Sequence, residues 1–170
     1  MPAFPHHAYG PRWAARVLQR TLRSLASICG VDGAALLMIA PDGRRLVVGA
    51  TDDAGRRLEA AEVALDQGPA VRVVETGRPA AVADLRSGYE TLAGLAGPVR
   101  SVLAVPLSSR SKVVGALAFY RRKAVNWDNA DLVKGERLGR ILVGVLDELA
   151  RSQGGQGPPP RDQCDETTHK

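Results

Sequence analysis

The chain has 170 residues, of which 45% are hydrophobic and 24% charged, which indicates one soluble globular domain with flanking segments. Its net charge of +5, from 23 basic and 18 acidic residues, does not by itself indicate a nucleic-acid-binding protein. The two cysteines, Cys29 and Cys164, are too few for a disulfide framework, and no apolar run approaches the ~20 residues of a membrane span, so we expect a cytoplasmic protein without a membrane partner.

The N-terminal part predicts an arm and then an amphipathic helix. Residues 1–11 contain three prolines and are predicted to be disordered. From Arg12 to Ile28 apolar residues recur at three- and four-residue steps, and Gly30 is placed to end the helix. Four arginines share another face of this helix: Arg12, Arg16, Arg20 and Arg23. We interpret them as a solvated face, and the alternative is a surface for nucleic acid or an acidic partner.

The following segments predict a hairpin and two helices. Strands over about 34–40 and 44–51 flank the turn sequence PDG. A helix with acidic residues at its start is predicted in DDAGRRLEAAEVALDQG. A second helix is predicted from Pro69 to Thr76, because proline suits a first helical position and Gly77 suits a left-handed C-cap.

The middle of the chain predicts an apolar hairpin that is covered on both faces. A short strand in AAVADL ends at Asp84, and a loop and a short helix follow it. Residues 101–122 then form two apolar runs around the loop SSRS, and both alternate sets of side chains in each run are apolar. We therefore expect helices on one face of these strands and another layer on the other. Pro106 cannot donate to a ladder and is expected at an edge, a bulge or a strand end.

The last helix is predicted in NWDNADLVKGERLGRILVGVLDELARS, with Asp128 or Asn126 as its cap. Its apolar stripe is wide enough for one part to cover the sheet and another to meet a second helix. The stripe contains Leu138, Ile141, Leu142, Val145, Leu146 and Leu149. Residues 153–170 are Gly/Pro-rich and then polar, and we predict a disordered tail there. The domain is thus expected over residues 12–152.

Three segments of the chain resemble the GAF domain family. They are DQGPAVRVVETGRPAAVADL at 66–85, VRSVLAVPLSSRSKVVGALAFYRR at 99–122 and NWDNADLVKGERLGRILVGVL at 126–146. The resemblance covers about residues 12–150 and is closest to GAF domains of bacterial, especially actinobacterial, signalling proteins, including those that precede an RNA-binding ANTAR domain. It implies an α+β fold with a central antiparallel sheet. The N- and C-terminal helices would lie on one face, and short helices and loops would close a pocket on the other.

The resemblance also implies a ligand pocket, and the residues of this chain favour some classes of ligand over others. Family members bind cyclic nucleotides, bilins, haem or small acids, and some bind nothing. The cyclic-nucleotide pattern N-K-x-F-D-E is only partly present in NWDNAD, which we interpret as a helix cap with a packed tryptophan. All three histidines, His6, His7 and His169, lie in predicted tails, so no haem site is expected. Neither cysteine lies in a pocket segment, which argues against a bilin, a metal site and a nucleophile.

Candidate site residues follow from where family pockets and dimer interfaces lie. The ligand-binding candidates are Arg72, Asp84, Tyr89, Arg100, Pro106 and Phe119. The alternative for Asp84 is a loop cap, and for Tyr89 surface packing. Because the outer helices of many members pair with those of a second subunit, a homodimer interface is expected at Trp13, Val17, Leu18, Leu138, Leu142 and Leu149.

The function expected from these observations is regulatory and not enzymatic. The domain would bind a small molecule or a signalling protein and signal through its outer helices, in signal transduction or transcription control, with no output domain following it. One alternative is binding of nucleic acid or an acidic partner through the arginine face. Another is a small redox enzyme of the free methionine sulfoxide reductase branch, against which the cysteine positions argue. No catalytic residue, metal or cofactor is assigned.

Overall fold

A five-stranded antiparallel sheet lies between two layers of helices in the computed structural model, which describes residues 12–154. The elements in chain order are α1 (Arg12–Cys29), β1 (Gly33–Ile39), β2 (Arg45–Ala50), α2 (Asp53–Leu65), α3 (Pro69–Thr76), β3 (Ala80–Val82), α4 (Glu90–Leu95), β4 (Ser101–Ser109), β5 (Lys112–Arg121) and α5 (Asn129–Gly154). This order confirms the predicted succession of helices and strands. The predicted disordered segments lie outside the described residues, except that α5 continues to Gly154.

The strands are arranged in the order β2-β1-β5-β4-β3, and each neighbouring pair is antiparallel. Alternation along β4 separates two hydrophobic cores. Leu103, Val105 and Leu107 pack with α1 and α5, whereas Val102 and Ala104 pack with α2, α3 and α4. The sheet is therefore covered on both faces, as its doubly apolar strands predict, and the fold is the expected α+β arrangement.

Local signals set the ends of the outer helices. Gly30, with φ of 65°, ends α1, as predicted. At the start of α5, Asp128 accepts a hydrogen bond from the backbone N–H of Asp131 (2.8 Å), and Asp131 accepts one from the backbone N–H of Asp128 (3.0 Å). This reciprocal capping box selects Asp128 over Asn126 as the cap. It also gives Asp131 a structural role, in agreement with the interpretation of NWDNAD.

Pro106 lies beyond the end of β3, at the point where β4 becomes an edge strand. The last β3–β4 pair joins Ala80 and Ala104, and the register of β4 with β5 shifts between Leu107 and Ser108. A proline without an N–H is tolerated at such a position because no strand beyond β4 requires its donor. The sequence-based expectation of an edge or bulge at Pro106 agrees with this placement.

Tyr120 ties the end of β5 to the junction between β2 and α2. Its side chain is fully buried, its hydroxyl donates to Oδ1 of Asp52, and its Oη lies 3.1 Å from Oγ1 of Thr51. Burial, followed by the hydrogen bond to Asp52, raises the pKa of the Tyr120 hydroxyl above its ordinary value. The ring fits because Gly33 and Gly55 have no Cβ, since a Cβ at either position would overlap the phenol.

Two carboxyl groups of α2, Glu59 and Glu62, are fully buried. Oε2 of Glu62 accepts hydrogen bonds from the backbone N–H groups of Ala70 (2.8 Å) and Val71 (3.2 Å) in the first turn of α3. Within residues 12–152, both oxygens of Glu59 and Oε1 of Glu62 have no hydrogen-bond partner. Burial and the neighbouring charge of Glu62 raise the pKa of Glu59 well above its usual range. Burial raises the pKa of Glu62 to about 8, although the two amide hydrogen bonds oppose the rise.

The substitution Gly33→Ala tests the fit around Tyr120. The new methyl group would overlap the phenol and lie 2.5 Å from Oγ1 of Thr51, so we expect a loss of about 1–3 kcal/mol in the free energy of unfolding, measured by urea denaturation. Gly144→Ala is the matched control in α5, because its Cβ would meet no atom within 4 Å, and it should gain about 0.5–1 kcal/mol. A Gly33→Ala variant as stable as the wild type would contradict this account.

The buried carboxyl pair predicts an unusual pH dependence of stability. Unfolded glutamates release their protons near the ordinary value of 4.5, whereas Glu62 in the folded chain does so near 8. The folded state therefore binds more protons between these values, and the free energy of unfolding should fall as pH rises, by at least about 1 kcal/mol between pH 5 and 8. Urea denaturation across this range measures the slope.

Glu59→Gln removes one titrating group of the pair while keeping its shape, and it should flatten this slope. Glu148→Gln, on the exposed surface of α5, is the control and should leave the slope unchanged. A wild-type profile that is flat between pH 5 and 8 would show that the pair binds no extra proton in the folded state.

Candidate functional site

A pocket of about 530 Å³ opens beside β3, at one edge of the sheet. Its walls are α3, the link from α3 to β3, β3 itself and the residue that precedes α4. The lining residues are Arg72, Thr76, Arg78, Pro79, Ala80, Ala81, Val82 and Tyr89. The volume lies within the range of roughly 300–1,000 Å³ that is typical of small-molecule sites.

Two arginines supply the charge of this pocket. Arg72 is exposed on α3, and Arg78 is exposed just after the helix. Thr76 holds their backbones together: its hydroxyl donates to the carbonyl of Arg72 (2.8 Å) and accepts from the backbone N–H of Arg78 (3.2 Å). Within residues 12–152, neither guanidinium has an ion-pair partner. The pocket therefore presents two uncompensated positive charges.

Asp84 and Arg100 form a bidentate ion pair on the loop next to this pocket. Nε of Arg100 lies 3.0 Å from Oδ1 of Asp84, and its Nη2 lies 2.6 Å from Oδ2. The hydrogen bonds from Arg100, together with one from the backbone N–H of Arg86, lower the pKa of Asp84 to about 2. The backbone N–H of Leu85 also donates to the carbonyl of Arg100 (2.7 Å). This pair thus fastens the loop after β3 to the start of β4.

The structure brings two of the six ligand-binding candidates, Arg72 and Tyr89, together in the pocket. Asp84 and Arg100 satisfy each other and are absent from its lining, and so is Pro106. Phe119 corrects the sequence analysis: it is fully buried in the core under α1 and α5, on the opposite face of the sheet. The reason is the alternation of β5, in which Leu117 and Phe119 face the outer helices while the residues between and after them face the other layer.

Sequence reasoning missed Thr76 and Arg78 as lining residues. The sequence TGRP was interpreted only as the end of a helix, which it is, since Gly77 takes a left-handed conformation with φ of 68°. The turn that stops α3 also directs Arg78 to the pocket wall. The available signal was the pair of arginines on either side of a helix stop and next to a short strand.

The six predicted dimer residues differ in their exposure. Leu18, Leu138 and Leu142 are buried in the core of a single chain, which leaves too little of them exposed to form a dimer interface, and that expectation is corrected. Trp13 and Val17 are exposed on α1, at 46% and 37%. The sixth residue, Leu149, is half-buried. Three apolar residues of the outer helices that were outside the prediction are also exposed: Ile28 on α1, and Val133 and Ile141 on α5.

A second pocket, of about 420 Å³, lies between α1, β2 and α2. Arg56 is its one charged lining residue, and the other lining residues are Ala15, Leu18, Gln19, Val47, Val48, Gly49 and Ala60. This surface lacks the convergence of charged and aromatic groups seen beside β3. We therefore take the pocket beside β3 as the candidate site.

The side chains in residues 12–152 form no cluster of three or more histidine, cysteine or acidic groups that could hold a metal ion. Cys29 packs against the core under α1 and α5, and burial raises the pKa of its thiol. It therefore lies on the other side of the sheet from the pocket. None of the helices between residues 12 and 154 combines the length and the apolar character needed to cross a bilayer.

Comparison with known proteins identifies the fold. The sequence model of the GAF domain family matches residues 14–147. Among solved structures, the chain is similar to a domain named for a two-component sensor histidine kinase of Sinorhizobium meliloti 1021, with a TM-score of 0.65, 14% identity, and coverage of 84% of this chain and 96% of that one. It is also similar to the GAF domain of a phosphoenolpyruvate-protein phosphotransferase from Acinetobacter, with a TM-score of 0.63, 19% identity, and coverage of 85% and 87%.

A third similar structure is a type II free methionine-R-sulfoxide reductase from Thermoplasma acidophilum, with a TM-score of 0.62, 13% identity, and coverage of 80% and 93%. A search of the curated proteins finds no match. At these identities the structural likeness establishes the fold and leaves ligands and activities open. Because the family model spans most of the chain, and the sheet with its two helical layers agrees with it, this chain belongs to the GAF domain family.

Proposed function

We propose that this chain is a non-catalytic regulatory GAF domain. It binds a small molecule in the pocket beside β3 and passes the bound state to its outer helices. The observation that carries this proposal is the pocket itself, in which Arg72, Arg78 and Tyr89 line a volume suited to a small molecule. Membership of the family supports the regulatory assignment, because such domains are generally regulatory or ligand-binding modules.

We also propose that the pocket catalyses no reaction. Nucleophilic catalysis needs a nucleophile and a base within hydrogen-bonding distance of each other. The lining of the pocket contains no cysteine, histidine or carboxylate, and Cys29 lies across the sheet. The similarity to a sulfoxide reductase therefore supports a shared fold, and nothing in the pocket supports the same chemistry.

A route from the pocket to the outer helices runs through β4. The pocket wall β3 pairs with β4 through Ala80 and Ala104. On the other face, α5 rests on β4 at Gly135 and Gly139, where a Cβ would meet Val105 within 3.1 and 3.4 Å. A ligand that binds two arrangements of β3 with different affinities would thus shift the position of α5. The size of this shift in the equilibrium is limited by the difference between the two affinities.

The outer helices are also the surface that we assign to a second copy of this chain. Trp13 and Val17 on α1, and Ile141 on α5 at 56% exposure, leave apolar area on the helical layer. Pairing two such layers would bury this area in a bundle of four helices. Such a bundle would let a shift of α5 in one subunit reach the other.

Native mass spectrometry of the full chain purified from its own host tests ligand binding first. We expect an added mass that is present under native conditions and absent from the denatured chain. Tyr89→Ala, which removes one wall of the pocket, should reduce the occupied fraction by about tenfold. Leu95→Ala, an exposed apolar residue on α4 outside the pocket lining, is the control and should keep it. A native mass without any addition would count against the proposal.

Light scattering of the eluting protein tests the helical interface. We expect wild type at twice the chain mass of 18.0 kDa and Ile141→Glu at the single-chain mass, because a charge would be buried between the helices. Leu95→Glu, which puts the same charge on α4, should stay at the wild-type mass. An Ile141→Glu variant that elutes like the wild type would remove α5 from the interface.

A further inference from the structure

We infer that the pocket beside β3 binds an anionic small molecule, through a carboxylate or phosphate group held between Arg72 and Arg78. The inference rests on the proposed function and adds the charge class of the ligand. It depends on the balance of charge around the pocket, on the donors that face it and on its size.

The charge balance of the lining is strictly positive. Among the eight lining residues there are two arginines and no acidic residue. A guanidinium stays ionised at any physiological pH and offers up to five N–H donors in a planar fork that matches a carboxylate or a phosphate. Two such groups on the wall of a concave site concentrate an attractive potential for anions.

Two acids of the surrounding segments are engaged elsewhere, and a third, Glu90, is exposed at the start of α4 and absent from the lining. Glu75, on the same helix as Arg72, accepts from Nη2 of Arg45 (3.3 Å). Both carboxylate oxygens of Asp84, after β3, accept hydrogen bonds from Arg100. Neither acid therefore neutralises Arg72 or Arg78, and the positive charge of the pocket is left for a ligand.

One neutral donor completes the site. The half-buried side chain of Tyr89 lines the pocket, and its hydroxyl has no hydrogen-bond partner within residues 12–152. The hydroxyl of Thr76 is already engaged, because it is hydrogen-bonded to the backbone groups of Arg72 and Arg78. Tyr89 can therefore donate to an anion that the two guanidiniums hold.

The size of the pocket and its remaining wall limit the rest of the ligand. Pro79, Ala80 and Val82 supply an apolar part of the lining. A volume of about 530 Å³ exceeds what a bare inorganic anion fills. The ligand class that fits is thus a small organic acid or phosphate ester with a short apolar body.

Isothermal titration calorimetry of the full chain at low salt tests this with two probes, inorganic phosphate and glutarate. We expect at least one of them to bind, with an affinity that falls as sodium chloride is added, because exposed charges are screened. Phosphate binding alone would assign a phosphate group, and glutarate binding alone a carboxylate. Glycerol, a neutral probe, should not bind.

Substitutions then locate the binding. Arg72→Gln and Arg78→Gln should each weaken the bound probe by about tenfold, as expected for loss of one charge-assisted pair. Arg72→Lys keeps the charge without the planar fork and should lie between Arg72→Gln and wild type. Arg23→Gln, on α1 across the sheet, is the control and should bind like wild type. Both pocket arginines are exposed, so unchanged melting temperatures would verify that the variants are folded.

Two results would overturn the inference. One is the absence of binding by both anions, and the other is binding that Arg72→Gln and Arg78→Gln leave unchanged. Native mass spectrometry separates these from failure of the proposed function. A neutral molecule retained in wild type and lost in Tyr89→Ala would keep the small-molecule site while removing its anion specificity. If native mass spectrometry finds no bound molecule and neither anion binds in calorimetry, both the small-molecule site and its anion specificity are rejected.

Discussion

The hydrogen bond between Tyr120 and Asp52 holds the pocket-side layer to the sheet. Oδ1 of Asp52 accepts from the Tyr120 hydroxyl and also from the backbone N–H of Gly55, so the same carboxylate anchors β5 and caps α2. Next along the chain, α2 supplies Glu62, which satisfies the first N–H groups of α3. Tyr120 thus helps to fix the start of α2, and α2 in turn fixes the start of α3. Because α3 carries Arg72, the position of this pocket residue depends on the buried side chain of Tyr120.

Charge is distributed unevenly across this layer. The carboxyls of Glu59 and Glu62 in α2 are hidden from water and retain protons, while Asp84 is held by Arg100. The lining of the pocket beside β3 contains two arginines and no acid, although the whole chain carries only a modest excess of basic residues. The electrostatic character of the pocket arises from which acids are engaged elsewhere, and not from the overall composition.

Signals carried by single residues predicted the fold well, since Gly30, Pro69 and Gly77 act through their own backbone geometry. The face of Phe119 was not predictable in the same way. Both side-chain sets of β5 are apolar, so periodicity marks two faces without saying which one meets the helices. Likewise, the wide stripe of α5 contains Leu142 beside Ile141, and only packing decides which is buried. Arg78 was not predicted as a pocket residue because the sequence around it, TGRP, was already explained as the end of α3.

Two glycines of α5 place the backbone of this helix directly against the sheet, so that the helix can act as a rigid lever. At Gly135 and Gly139 its backbone approaches the methyl groups of β4 directly, without a flexible side chain that could rotate to absorb a displacement. Van der Waals repulsion rises steeply at such a contact, so the helix must tilt as a rigid rod. From Gly139 to Gly154 the helix extends ~22 Å at 1.5 Å per residue. A tilt of roughly 5° at the fulcrum would therefore move its far end by about 2 Å, which turns a small strand movement into a measurable change in helix separation.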